Sequence, residues 1–275
     1  MAEPAEVLTR LAADLTEVLR DDLLSLALYG SLALGDFAPG RSDLDVLAVM
    51  AIDPTATTLA RLGDVHTRLD ADFPEWNGHI EVDYVSIEAV EAVVQGTDEP
   101  HPMIRISPGE PLHHVEASRH YVLNWAGALQ ADLPIAGAAP STVLPAIDRR
   151  LIHQVVIQHV RAWPEWVHDV KPTGAQAYAV LTLCRAAEAL ATGRQVSKLA
   201  AANAVRSRFL EWSALIDWAQ EWWYHGGSDL DHGRFEDVRR FVNDVSERSL
   251  RHDDILPDSG RGSAGPDHES AANVT

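Results

Sequence analysis

The sequence predicts an α/β domain with a short mixed sheet, followed by an all-α helical bundle. Three observations carry this. In the first 90 residues, short apolar runs bounded by turn residues alternate with stretches in which apolar residues recur every three to four positions. Residues 96–113 then hold Gly96, Pro100, Pro102, Pro108, Gly109 and Pro111, a loop-rich composition. From about residue 115 onward the periodicity is almost entirely helical.

Residues 5–22 place Val7, Leu8, Leu11, Leu15, Val18 and Leu19 on one helical face that can pack on the first strand. Leu23 to Tyr29 is a short apolar run bounded by Gly30, the pattern of a buried strand breaking into a turn. Ser31 stands where an N-cap would stand, so its hydroxyl and the free amides of the next turn can face an anion such as phosphate. Pro39-Gly40 marks another turn, and Leu44 to Met50 reads as a second strand with Asp43 and Asp45 at its start. Strand periodicity of two puts both carboxylates on one face, close enough to chelate a hard cation such as Mg²⁺ through oxygen. Two carboxylates so close repel unless a cation or protons neutralise them.

Asp53-Pro54 opens a helix with an apolar stripe of Leu59, Leu62, Val65 and Leu69, to which His66 belongs. His79 to Val85 follows as a strand with one polar face carrying Glu81 and Asp83. A polar face on a strand of a helix-covered sheet suggests a side left open toward a ligand. Paired beside the Asp43 strand, it would converge four acidic groups on one site. The domain boundary is placed at residue 110. Helices are expected over 115–131, 142–161, 175–191, 198–207, 211–224 and 234–250, within a bundle spanning 111–256. The tail, 257–275, has the Gly, Ser, Asp and Asn content of a disordered segment.

At 275 residues and 46% hydrophobic content, the chain has material for a sizeable core. No apolar run approaches the roughly 18 to 20 residues needed to span a bilayer. The N-terminus lacks a basic start and apolar core, so no secretory signal is expected. The lone Cys184 sits in an apolar helix, consistent with packing and a reducing compartment, and the expected location is the cytoplasm. A formal net charge of −19 argues against a nucleic-acid partner and fits a cationic small molecule, although acidic composition also serves solubility. No membrane partner is expected, and the protein is expected to act as a monomer.

The stretch from Leu26 to Val49, with its Gly30-Ser31 turn followed by a strand opening Asp43-x-Asp45, closely resembles the signature of the nucleotidyltransferase superfamily. A second stretch is as specific. Tyr178-Ala-Val-Leu-Thr-Leu-Cys-Arg185, the Thr192-Gly193 turn, and Lys198 opening the next helix resemble the C-terminal helical domain of aminoglycoside adenylyltransferases of the streptomycin/spectinomycin type. Gly193 would end one helix and Ser197 would cap the next, fixing Lys198 at a helix N-terminus.

Together these resemblances span most of residues 23–250 and imply an α/β nucleotidyltransferase domain joined to the helical domain. They imply transfer of AMP from ATP to a hydroxyl of a small molecule, an aminoglycoside, with release of pyrophosphate. Asp43 and Asp45 would hold Mg²⁺, and Gly30 and Ser31 would hold phosphate. Such chemistry needs a third carboxylate, as base or as further metal ligand, and the residues themselves offer both Glu81 and Asp83. The family match makes Glu81 the base and leaves Asp83 as the additional metal ligand and alternative base. By the same match Arg185 and Lys198 contact the ATP phosphates, and Trp223 lies near the nucleotide.

On the acceptor side, Ala175 and Gln176 occupy positions where streptomycin-modifying members carry acidic residues, with Glu165 and Asp169 nearby. Trp163 and Trp166 could line the acceptor pocket or staple a loop. Two other functions fit the class less well: adenylylation of a protein, usually done by smaller single domains, and nucleotide binding without turnover.

Overall fold

The computed structural model describes residues 2–97, 99–228, 230 and 232–253; the segment expected to be a disordered tail lies outside them. Helix α1 (Pro4–Leu19) starts with proline in its first turn, where the missing N–H costs nothing, and buries Val7, Leu8, Leu11, Leu15 and Leu19. Strand β1 (Leu23–Leu28) runs into the four-residue helix α2 (Gly30–Ala33). Strand β2 (Leu44–Met50) leads to α3 (Ala56–Asp72), capped reciprocally by Thr55 and Thr58. Then come β3 (Ile80–Ser86) and α4 (Ile87–Gln95), whose cap Ser86 accepts from the Ala89 amide.

Next are β4 (Pro102–Ser107), β5 (Glu110–Glu116), α5 (Val122–Ala131), β6 (Leu133–Gly137) and the short α6 (Pro140–Val143). The strands form one mixed sheet in the order β5-β4-β3-β2-β1-β6. Strands β2 and β3 are parallel, joined across α3, and every other neighbour is antiparallel. Helices α1 and α3 cover one face over Leu26, Val46 and Tyr84. Helices α4 and α5 cover part of the other over Leu47, Val49 and Met103.

The C-terminal half is helical: α7 (Arg149–Trp166), α8 (Thr173–Thr192), α9 (Lys198–Arg208), α10 (Ser213–Tyr224) and α11 (Phe235–Asp253). Helix α8 is its axis. Eleven of its twenty residues are buried, Cys184 among them, with the other helices packed around it. No helix among the described residues is long and apolar enough to cross a membrane.

The sheet runs past residue 110, because the loop-rich stretch folds into the β4–β5 hairpin. Pro108-Gly109 is its turn, with Gly109 at φ +81°. Pro111 sits on the edge strand, where a missing N–H leaves no ladder position empty. Strand β6 lies in the gap between the expected helices 115–131 and 142–161, its Pro134 tolerated on the opposite edge. A helix was expected from residue 115, but it begins at Val122, since residues to Glu116 pair in the hairpin. Helix α7 starts at Arg149, after the separate turn of α6. It ends at Trp166 rather than 161, where His159, Trp163 and Trp166 pack edge to face across its last turns.

His66 does more than fill the α3 stripe. It is buried and hydrogen-bonded to the Tyr84 hydroxyl at 2.8 Å, and burial lowers its pKa from 6.5 to about 4. Between those values the unfolded chain binds a proton that the folded chain does not. Stability from this site is therefore intact above pH 6.5 and is lost as pH falls toward 4, by roughly 3 kcal/mol in full. Urea midpoints measured from pH 7 to pH 4 should fall less steeply for His66→Gln than for the wild type; parallel curves would contradict the assignment.

Candidate active site

A cleft of about 320 Å³ opens between the sheet domain and the helical domain. On the sheet side, Asp43 precedes β2 and Asp45 is its second residue, directly paired with Glu81 in the parallel β2–β3 register. Gly30 makes that approach possible. Its φ is +68°, and a Cβ there would lie 1.9 Å from Asp45 Oδ2. The Ser31 amide donates to the same oxygen at 3.4 Å. Ser31 is the second residue of α2, not its cap; Gly30 begins the turn and Tyr29 takes the cap place. The Ser31 hydroxyl is buried in the cleft wall with no partner among the described residues, a polar atom that a phosphate oxygen would satisfy.

The helical domain supplies the opposite wall. Gly193 ends α8 in a left-handed conformation, and the Ser197 hydroxyl accepts from the Ala200 amide to cap α9. Lys198 is thereby held at the first turn of α9, its ammonium 4.3 Å from the Trp223 ring centroid and 5.0 Å from that of Tyr178. Arg185 on α8 lines the same wall. Asp36 ties the domains together, accepting from the Leu199 amide at 3.2 Å and the Tyr224 hydroxyl at 3.0 Å.

Each wall crowds groups of like charge. Burial, then the proximity of Glu81 and Asp43, raises the Asp45 pKa to about 7. Asp43 is raised as well, chiefly by burial, against the opposing hydrogen bond from His79 at 3.0 Å. Across the cleft, burial and the neighbouring Arg185 lower Lys198 to about 8. A polyanion answers the second wall and a cation the first.

No group of three or more metal-ligating side chains stands ready among the described residues. Mg²⁺ typically binds one or two carboxylates and completes its shell with substrate phosphates and water, and the pair Asp43 and Asp45 fits that donor set.

Eight residues singled out from the sequence thus meet here: Gly30, Ser31, Asp43, Asp45, Glu81, Arg185, Lys198 and Trp223 all line the cleft. Asp83 does not. It is fully buried, and both its oxygens are engaged, by Arg105 Nη1 at 2.5 Å and by Asn124 Nδ2 at 3.0 Å. Burial raises its pKa to about 6 against the pull of Arg105 and Asn124. In this arrangement Asp83, expected as metal ligand and alternative base, is turned away from the cleft and held by Arg105 and Asn124.

Arg105 turns its other arm to Glu81 Oε2 at 2.9 Å, while the Tyr29 hydroxyl donates to Glu81 Oε1 at 2.7 Å. The Glu81 carboxylate is therefore clamped from both sides. Asp83→Ala leaves Arg105 paired to Glu81 alone and the Asn124 amide without its acceptor, so it should lose about 1 to 3 kcal/mol of stability. Chemical denaturation would measure it, and an unchanged stability would refute the pairing.

Sequence reasoning missed Tyr29, Arg105, Asn124, His79 and Asp36. Tyr29 directly precedes the Gly30-Ser31 turn, which was a usable signal; Arg105 lay in the stretch taken for a loop. On the acceptor side, Gln176 is buried and structural, donating to the Lys171 carbonyl and accepting from the Arg234 amide, both at 2.7 Å. Ala175, Glu165 and Asp169 do not line the cleft, whose wall there is built from Asn124, His159, Tyr178 and Thr182. The Trp163 indole donates to His159 Nε2 at 3.0 Å, and burial lowers the His159 pKa to about 4, so the ring is neutral with its proton on Nδ1.

Comparison with known proteins bears on the two domains that form the cleft. Residues 14–102 match the nucleotidyltransferase domain model, and residues 142–248 match that of the aminoglycoside adenylyltransferase C-terminal domain. No curated protein matches the chain. The crystal structure of spectinomycin adenyltransferase AAD(9) from Enterococcus faecialis with ATP and spectinomycin shares the fold. It has a TM-score of 0.72 and 17% sequence identity, over 90% of this chain and 100% of that one. With both domain models matched in order and the predicted residues gathered between them, the chain is an enzyme, a nucleotidyltransferase belonging to the aminoglycoside adenylyltransferase family.

Proposed function

We propose that this enzyme transfers AMP from ATP to a hydroxyl group of a cationic aminoglycoside, of the streptomycin/spectinomycin type, and releases pyrophosphate. The observation that carries the reading is the two-walled cleft: Asp43, Asp45 and Glu81 face Arg185 and Lys198 across a space lined by an orphaned Ser31 hydroxyl. Arg185, Lys198 and Ser31 hold the triphosphate, and Trp223 flanks the base. Mg²⁺ held by Asp43 and Asp45 would neutralise the phosphate oxygens and favour attack at the α-phosphorus.

Glu81 takes the proton of the acceptor hydroxyl as its oxygen bonds to the α-phosphorus, and the bond to the bridging α–β oxygen breaks as pyrophosphate leaves. A carboxylate has about four lone-pair sites, so Glu81 can accept that proton while Tyr29 and Arg105 hold its orientation. The net charge of −19, with these carboxylates at the cleft, favours approach of a polycation.

The reading is tested by incubating the protein with ATP, Mg²⁺ and a panel of aminoglycosides, and analysing products by mass spectrometry. Addition of one AMP moiety to a streptomycin- or spectinomycin-type acceptor is expected. Absence of any adduct across the panel would overturn it.

A further inference from the structure

Asp36 stands where the two domains meet, and its backbone is fixed by the turn that closes α2. Gly35 takes a left-handed φ of +67°. Its amide donates to the Leu32 carbonyl at 3.2 Å and the Asp36 amide to the Ser31 carbonyl at 2.9 Å, the pair of bonds with which a left-handed glycine ends a helix. Asp36 is thereby fastened to Ser31, which lines the cleft.

The side chain of Asp36 reaches the other domain. One oxygen, Oδ2, accepts from the Leu199 amide at 3.2 Å and from the Tyr224 hydroxyl at 3.0 Å. Leu199 follows Lys198 and Tyr224 follows Trp223 in the chain. A single atom therefore holds the neighbours of both members of the cation–aromatic pair, in which the Lys198 ammonium lies 4.3 Å from the Trp223 ring centroid. Burial, and then the Asp36 carboxylate, raise the Tyr224 pKa, so the phenol keeps the proton that it donates.

The turn before α9 has its own ties to α5. Gln130 donates to the Gln195 carbonyl at 2.9 Å, and the Gln195 side chain donates to the Leu123 carbonyl at 3.1 Å. Loss of the Asp36 side chain would release the start of α9 and the end of α10 while these bonds still join the domains.

We propose that Asp36 is a positioning residue for the nucleotide: acting through Leu199 and Tyr224, it sets Lys198 and Trp223 in register with the Ser31 turn. The inference rests on the reading of this cleft as the nucleotide site. Asp36 serves there as a hydrogen-bond acceptor and not as a charge, because a negative charge beside a triphosphate opposes binding. An amide oxygen has two lone pairs and can accept both bonds, so asparagine should replace it.

Calorimetric titration with α,β-methylene-ATP tests this by comparing Asp36→Asn with Asp36→Ala, which have the same charge. Asp36→Asn should bind the analogue within about threefold of the wild type, and Asp36→Ala about tenfold more weakly than Asp36→Asn. With Lys198→Ala added to both, that difference should shrink to about threefold or less, since a residue through which Asp36 acts is gone. A residue that only stabilised the fold would lower the melting temperature of Asp36→Ala and leave the affinity of the folded protein untouched. Equal affinity of the asparagine and alanine variants, or an undiminished difference without Lys198, would overturn the proposal while the reading of the cleft stands. Failure of the wild type to bind the analogue would refute that reading, and this inference with it.

Discussion

Glu81→Gln should lower the rate of AMP transfer by about 10²- to 10⁴-fold, the range for loss of a general base, with nucleotide affinity nearly unchanged. Glutamine keeps the size of the side chain and an oxygen for the Tyr29 hydroxyl or Arg105, so the clamp survives in part. What disappears is the basic carboxylate that can take the acceptor proton. Single-turnover rates measured beside nucleotide titrations separate the two effects. A variant that loses nucleotide binding in proportion to rate would place Glu81 in binding rather than in proton transfer, because an interaction made only in the transition state leaves ground-state affinity alone.

Gly30→Ala should be nearly as damaging, for a different reason. The added methyl would sit 1.9 Å from Asp45 Oδ2 and 2.5 Å from its Cγ, and the φ of +68° is one that residues with a Cβ rarely adopt. Asp45 is fixed on β2, so the turn must move, and with it the Ser31 amide and hydroxyl. A displacement of about 1 Å at a reacting centre can cost about 10²-fold in rate, and the left-handed backbone adds about 1 to 2 kcal/mol of strain. Steady-state kinetics with a thermal melt would show both losses. Activity within twofold of wild type would mean that the turn does not set the position of Asp45.

The residues that announced themselves in the sequence are those whose roles depend on short-range spacing. Asp43, just before β2, and Asp45 within it are two apart in extended chain, so their common face follows from the period of two. Lys198 follows the Ser197 cap and the Gly193 stop within six positions, and its place at a helix start was equally legible. The choice between Glu81 and Asp83 was not, since both share one face of β3. What sets them apart is that Asp83 is buried between Arg105 on the neighbouring β4, directly opposite it in the register, and Asn124, while Glu81 lines the cleft. Strand β4 was hidden because Pro102, Pro108, Gly109 and Pro111 have the composition of a linker, and only their placement at a strand start, a hairpin turn and a sheet edge makes them compatible with pairing. The part of the cleft lined by Asn124, His159, Tyr178 and Thr182 joins α5, α7 and α8, a juxtaposition that no local pattern encodes.

The central claim is that the carboxylate wall and the Arg185–Lys198 wall together direct attack to the α-phosphorus of ATP. It is tested most directly by following the fate of two labels in parallel reactions with an aminoglycoside acceptor and Mg²⁺. With label on the α-phosphorus, the aminoglycoside should become labelled in the wild type and not in Asp45→Asn; with label on the γ-phosphorus, the label should leave in pyrophosphate. Label passing from the γ-position to the acceptor, or α-label transferred equally well by Asp45→Asn, would contradict the account.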